Sequence, residues 1–186
     1  MFPHALVILA VWLLWTVALP AVDSALPQDD PVMPGDLLSV TESVTMRPAT
    51  DWNVASGFRI DQRGADDSVP NIELTRGNIT FTTRADTFDG TPDELLTQVD
   101  AVSAATGGGS VLELSGSPTP FVTNTGLTGA QVDFATPSIA GSITALIVDG
   151  TGIEVQVSGP PEQITDRAPE ITTMIASISA ENREAQ

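Results

Sequence analysis

The sequence predicts an α+β fold: a mostly antiparallel β-sheet flanked by two helices, preceded by one N-terminal hydrophobic helix. Three observations carry that expectation. Short segments of alternating apolar and polar residues recur along the chain, separated by turns rich in Gly, Pro, Asn and Asp. Only two segments, one central and one near the end, place apolar residues at helical spacing. Residues 1–22 contain no Asp, Glu, Lys or Arg, so the whole formal charge of −17 falls on residues 23–186.

The leader comes first. Residues 5–19, ALVILAVWLLWTVAL, are apolar apart from Thr16, and Pro20-Ala21-Val22 extend the run. A bilayer-spanning helix needs about 17–25 such residues, and a secretory h-region about 7–15. Residues 1–22 are therefore expected to be a transmembrane anchor or signal sequence, with the membrane as partner through residues 5–22. No basic residue follows until Arg47, whereas Asp23, Asp29, Asp30 and Asp36 come before it. An acidic stretch without basic residues is readily translocated, so the N-terminus is expected inside and the bulk outside. The alternative is secretion after leader cleavage. Residues 23–36, with three prolines and four aspartates, read as an acidic Pro-containing stalk, with an ordered extended lead-in to the first strand as the alternative for the last few of them.

A single α+β domain is expected over 37–180, with 181–186 a polar tail. Segments 37–46 and 52–60 read as strands around a turn at Arg47-Pro48, and 61–70 as a polar loop. Strands follow at 71–76 and 79–86, joined through Gly77-Asn78, a two-residue hairpin signal. One long bent strand is the alternative. The first helix starts at Thr91, with Pro92 suited to the first position and Glu94 completing a capping box. Leu95, Leu96, Val99 and Val102 form its apolar stripe, and Thr106 with Gly107-Gly108-Gly109 ends it. Further strands are expected at 111–115, 121–124, 130–134, 142–149 and 152–158, with Asp149-Gly150-Thr151-Gly152 as a hairpin turn. In the last strand Ile153, Val155 and Val157 face one way, and Glu154, Gln156 and Ser158 the other. The second helix is predicted to start between Asp166 and Pro169, with Ile171, Met174, Ile175 and Ile178 on one core-facing stripe.

Composition excludes much chemistry. The 186 residues include 24 Asp and Glu, seven Arg, no Lys, no Tyr, no Cys and a single His, His4. Thiol nucleophiles, Schiff-base lysines, cysteine-zinc sites and disulfides are impossible, and a His-based triad has no base within the domain. The acidity argues against a nucleic-acid partner, since phosphate binding requires clustered Lys and Arg.

Several pieces together resemble the PsbP-like fold, shared by photosystem extrinsic subunits, small Ran-binding nuclear transport factors and some actinobacterial envelope lipoproteins. They are DWNV with Trp52, the helix start PDELL, GLTGAQVDF, the paired strands ITALIVDG and IEVQVSGPP, and the terminal MIASIS, spanning about residues 50–180. The chain is also similar to single-anchor membrane proteins of actinobacteria. The resemblance implies an α-β sandwich with a binding or assembly role and supplies no catalytic residues. The lack of Cys separates the chain from the lipid-anchored members.

Individual motifs point to chemistry only weakly. Asp61, Asp66 and Asp67 could offer oxygen ligands to calcium, but Arg63 lies among them without EF-hand spacing, and a solvated acidic loop is favoured. Asp89, Asp93 and Glu94 crowd a helix start, where the dipole favours negative charge, so capping explains them better than a metal. Gly107-Gly108-Gly109 follows a helix, whereas a phosphate cradle precedes one. Asn78-Ile79-Thr80 matches a glycosylation sequon and is read as incidental. Trp52 suits a binding hot spot, yet a core position is favoured. No G-x-S-x-G elbow is present.

No catalytic, cofactor-binding or metal residue is assigned, and no cofactor is expected. The expected function is a non-enzymatic extracytoplasmic binding or assembly domain whose partner is a protein or envelope component. The alternatives are a carboxylate-dependent envelope glycan hydrolase and a purely structural envelope protein.

Overall fold

The computed structural model describes residues 30–62, 69–105 and 116–180. The leader, the stalk up to residue 29, Arg63, Asp66, Asp67, the triple glycine, the strand expected at 111–115 and the tail 181–186 lie outside the described residues.

The elements run β1 (Leu38–Ser39), β2 (Val44–Met46), β3 (Asn53–Ser56), β4 (Ile72–Arg76), β5 (Ile79–Thr87), α1 (Pro92–Ala105), β6 (Thr119–Val122), β7 (Thr128–Ala135), β8 (Ala140–Val148), β9 (Thr151–Gly159), α2 (Pro161–Ala176) and β10 (Ser179–Ala180). Seven strands form one sheet in the order β3-β4-β5-β9-β8-β7-β6, and β1-β2-β10 form a second. Every pairing is antiparallel. The protein is thus α+β, mostly antiparallel sheet with two helices.

Strand alternation explains how both faces of the large sheet find cover. Ile153, Val155 and Val157 of β9 join one apolar cluster with Leu74, Phe81, Leu146 and the α2 residues Ile171, Met174 and Ile175. The small sheet contributes Leu38, Val44 and Met46 to the same cluster. Trp52 is fully buried there, edge-on to Phe81 with ring centroids 6.2 Å apart. On the opposite face, Ala130, Val132 and Phe134 of β7 and Ile143 and Ala145 of β8 pack under Leu95 and Leu96 of α1. Strand β8 feeds both clusters, which is why ITALIV reads as a continuous apolar run and not an alternating one.

The turn chemistry follows the residues. Val148 pairs with Thr151, leaving Asp149 (φ 48°) and Gly150 (φ 76°) as a two-residue turn. Two successive positive φ values suit Asp-Gly and match the twist of the strands. Arg76 pairs with Ile79, so Gly77-Asn78 forms the expected hairpin. The capping box at α1 is made: the Glu94 N–H donates to Thr91 Oγ1 (3.3 Å), and the Thr91 N–H donates to Glu94 Oε2 (2.8 Å).

Three expectations are corrected. Segment 37–46 is not one strand but a tight hairpin, with Leu38 opposite Met46 and Ser39 opposite Thr45. Its turn is held by Thr41 Oγ1, which accepts from the N–H groups of Ser43 and Val44. Helix α2 begins at Pro161, earlier than its apolar stripe suggests, because Pro161 needs no intrahelical N–H partner at the first position. Pro169 therefore lies inside the helix and cannot donate to the Thr165 carbonyl. Finally, the α1 stripe stops short: Leu95 and Leu96 are buried, Val99 is half-buried, and Val102 is 55% exposed. For the residues from Pro31 to Asp36 the structure shows the ordered lead-in: they pack onto the body through a Val32 N–H bond to the Trp52 carbonyl (2.8 Å) and an Asp36–Arg59 ion pair (2.8 Å).

Candidate functional site

Helix α1 covers the β7–β8 half of its sheet face, where the facing residues are apolar. Beyond it the facing residues of β9 and β5 are polar, because the alternation that buries Val155 and Phe81 turns Glu154, Gln156, Arg84 and Asp86 to the α1 side. A cleft of about 360 Å³ opens at this boundary. Its helix wall is Leu95, Gln98, Val99 and Val102; its floor carries Arg84, Asp86, Glu154 and Gln156, with Asn71 at one side.

Pairing of β5 with β9 sets the geometry of the floor. Arg84 lies directly opposite Glu154, and Asp86 opposite Gly152, so Asp86 and Glu154 are diagonal neighbours. Directly opposite residues have Cβ atoms about 4.5–5.5 Å apart, and diagonal neighbours lie about 7–8 Å apart. Gly152 is required here: a Cβ on it would meet Phe88 Cβ at 2.8 Å and Leu95 Cδ2 at 3.1 Å. Its bare backbone lets the start of α1 sit down on the sheet beside the cleft.

The electrostatics are uneven. Burial pushes the Glu154 carboxyl above its ordinary value, and the nearby Arg84 charge only partly opposes this. Among the described residues, no carboxylate oxygen lies within 4 Å of the Arg84 guanidinium, whereas Arg59, Arg76 and Arg167 are each paired with a carboxylate. The cleft thus combines one cation, two carboxylates, three amide side chains and an aliphatic wall.

The residues singled out from sequence lie elsewhere. Asp61 is exposed in a short 3-10 turn over Ile60–Gln62. Asp93 and Glu94 occupy the first turn of α1 with Asp89 just before it, and the Thr91 N–H and hydroxyl hold the Glu94 carboxyl below its ordinary value. Among the described residues, no group of three or more His, Cys, Asp or Glu side chains is placed to hold a metal ion. Asn78 is exposed at the hairpin tip, its N–H donating to Gln163 Oε1 at 3.3 Å. Trp52 is a core residue whose indole N–H donates to Glu170 Oε1 at 2.5 Å.

Leu95, Val99 and Val102 of the cleft wall were expected as an apolar stripe, but none of the polar cleft residues was singled out by motif. Arg84, Asp86, Glu154 and Gln156 belong to the polar phase of two alternating strands, TFTTRAD and GIEVQVS, which looks the same as an ordinary solvent face. Arg84 and Glu154 meet only because β5 pairs with β9, across the whole of α1 and three intervening strands. No protein-family model matches this chain, and comparison with curated proteins finds no match.

Proposed function

We propose that this protein is a non-enzymatic binding or assembly domain that works outside the cytoplasm. In this reading residues 5–22 tether it to the membrane as a single pass, or direct its secretion once the leader is cleaved. The finer fold is the PsbP-like α-β sandwich, with one helix on each face of the main sheet. Among the described residues no helix is long and apolar enough to cross a membrane, so the tether rests on the leader.

The observation that carries the reading is the half-covered sheet face. An apolar wall beside convergent polar groups, in a space at the lower end of the roughly 300–1,000 Å³ typical of ligand sites, is the form of a recognition cleft. The direct test is titration of a soluble envelope digest, containing peptide and saccharide fragments, into the isotope-labelled full chain. Amide signals of Gln98 and Gln156 should shift while those of Gln163, on the other face, stay in place. A digest that moves no cleft signal removes the reading.

A second reading, a carboxylate-dependent glycan hydrolase, is favoured by one observation. Asp86 and Glu154 line the same cleft, and burial biases Glu154 toward the protonated form that a general acid requires. Arg84 directly opposite Glu154 works against it, because a cation there stabilises the ionised carboxylate. Release of reducing ends from envelope glycan by the wild type, abolished in Glu154→Gln and Asp86→Asn, would establish hydrolysis in place of binding.

A further inference from the structure

Resting on the reading of the cleft as a binding site, we propose that its ligand is a small zwitterion of the α-amino-acid type with an aliphatic side chain. Arg84 takes the carboxylate, Glu154 and Asp86 take the ammonium group, and Leu95, Val99 and Val102 take the side chain.

Charge is the first argument. In a chain of net charge −17, Arg59, Arg76 and Arg167 are neutralised locally, but Arg84, at the floor of a cleft, has no carboxylate within 4 Å among the described residues. A guanidinium presents a planar fork of donors that matches a carboxylate. The acidity of the whole chain does not forbid an anionic group there, since charges beyond about 8 Å are screened at physiological ionic strength.

Glu154 supplies the complementary half. It is partly buried, its carboxylate accepts no hydrogen bond among the described residues, and it is pushed toward its neutral form by desolvation. An ammonium group brings three donors and a positive charge, which satisfies that carboxylate in its ionised form. The charged groups on the floor are Arg84 and Asp86 from β5 and Glu154 from β9, and the helix wall adds none. A purely anionic ligand would face two uncompensated carboxylates. A purely cationic one would face the guanidinium.

Spacing selects the class. Arg84 and Glu154 are direct cross-strand partners, so their side chains start about 5 Å apart. Two ligand charges held close together, as on a single α-carbon, can therefore meet both head groups at once. The termini of an extended peptide are too far apart to meet both. The cleft volume, about 360 Å³, also suits a ligand of this size, and Leu95, Val99 and the 55% exposed Val102 give it an aliphatic wall.

The test uses three probes on the full chain in detergent micelles, read by chemical-shift titration: leucine, N-acetyl-leucine, which lacks the ammonium group, and leucinamide, which lacks the carboxylate. Leucine should move the Gln98 and Gln156 signals, and each analogue should bind at least about tenfold more weakly, the size of one charge-assisted hydrogen bond. Arg84→Gln should weaken leucine binding at least about tenfold while leucinamide, freed of the facing guanidinium, binds no more weakly than to the wild type. Glu154→Gln should bring leucine and N-acetyl-leucine close together. Equal binding of all three probes, or no shift with leucine, overturns the proposal, and the wild-type comparison stands even if a variant misfolds. If the envelope digest shifts the cleft signals while leucine does not, the zwitterion is wrong and the cleft remains a binding site. If neither shifts them, both fall.

Discussion

Glutamate 170 joins α2 to the main sheet, and its removal has a cost that can be worked from the contacts. Its Oε1 accepts from the Trp52 indole N–H at 2.5 Å and from Arg76 Nη1 at 2.8 Å, and its Oε2 lies 3.7 Å from Arg167. In Glu170→Ala the Trp52 N–H is orphaned in a fully buried side chain, a penalty of about 1–3 kcal/mol. Arg76 is not orphaned, because Asp51 at 3.5 Å and the Thr50 carbonyl at 3.4 Å remain. Its partly exposed ion pair with Glu170 adds about 0.5–1 kcal/mol, and the more exposed Arg167 contact adds almost nothing. Alanine returns a few tenths of a kcal/mol through helix propensity. The total is about 2–3 kcal/mol, or a melting temperature lower by about 5–10 °C for a chain of this size. Glu170→Gln keeps an oxygen for the indole and should lose only about 1 kcal/mol. Thermal melts followed by circular dichroism measure both. A double-mutant cycle with Trp52→Phe should then show a coupling of about 1 kcal/mol or more. If the alanine and glutamine variants melt together, the orphaned indole is not the main loss. If the alanine variant melts with the wild type, the network does not hold α2 in place.

Three other outcomes follow from the contacts. Thr83 and Thr144 flank Val155 across the sheet, and their buried hydroxyls have no hydrogen-bond partner among the described residues; Thr83→Val and Thr144→Val should each raise stability by about 1 kcal/mol in urea melts, and a loss from either would mean that its hydroxyl is satisfied. Because burial raises the Glu154 carboxyl in the folded state, the folded chain holds that proton more tightly, so stability should fall as pH rises from about 4.3 through Glu154's own higher value. Glu154→Gln should gain stability at neutral pH and none in acid; a gain that is the same at every pH would contradict this. Asp36 behaves oppositely: burial raises its carboxyl, but the Arg59 hydrogen bond and the Met33 N–H outweigh that and hold it below its ordinary value. Its contribution is present above about pH 3.9 and is lost as pH falls through the lower folded value, so the deficit of Asp36→Asn should shrink in acid, where a constant deficit would point to lost packing.

The parts of this fold that could be read in advance are those decided by near neighbours. The Thr91-to-Glu94 box, the Asp149-Gly150 turn and the faces of β9 each depend on residues at most a few positions apart, and each is found where the sequence places it. What could not be read depends on distant partners. Segment 37–46 looks like one strand until β10, from the far end of the chain, pairs with β2 and leaves β1 to fold back on its other side. Helix α2 begins ten residues before Ile171, the first residue of its apolar stripe, because Pro161 can start a helix, whereas the stripe marks only the part whose side chains are fully buried.

The cleft is the extreme case of this dependence. Arg84 and Glu154 each sit in the polar phase of an ordinary alternating strand, so neither carries a local mark. Two things single them out: the register that sets them opposite one another, and a helix whose apolar stripe runs past the apolar part of the sheet. Val102 was legible as a stripe residue, and in the structure it lies on the wall of that cleft, 55% exposed. A stripe one turn longer than the core it covers was therefore the one sign in the sequence that α1 has a neighbour besides the core. Only the β5–β9 pairing supplies the charges beneath it.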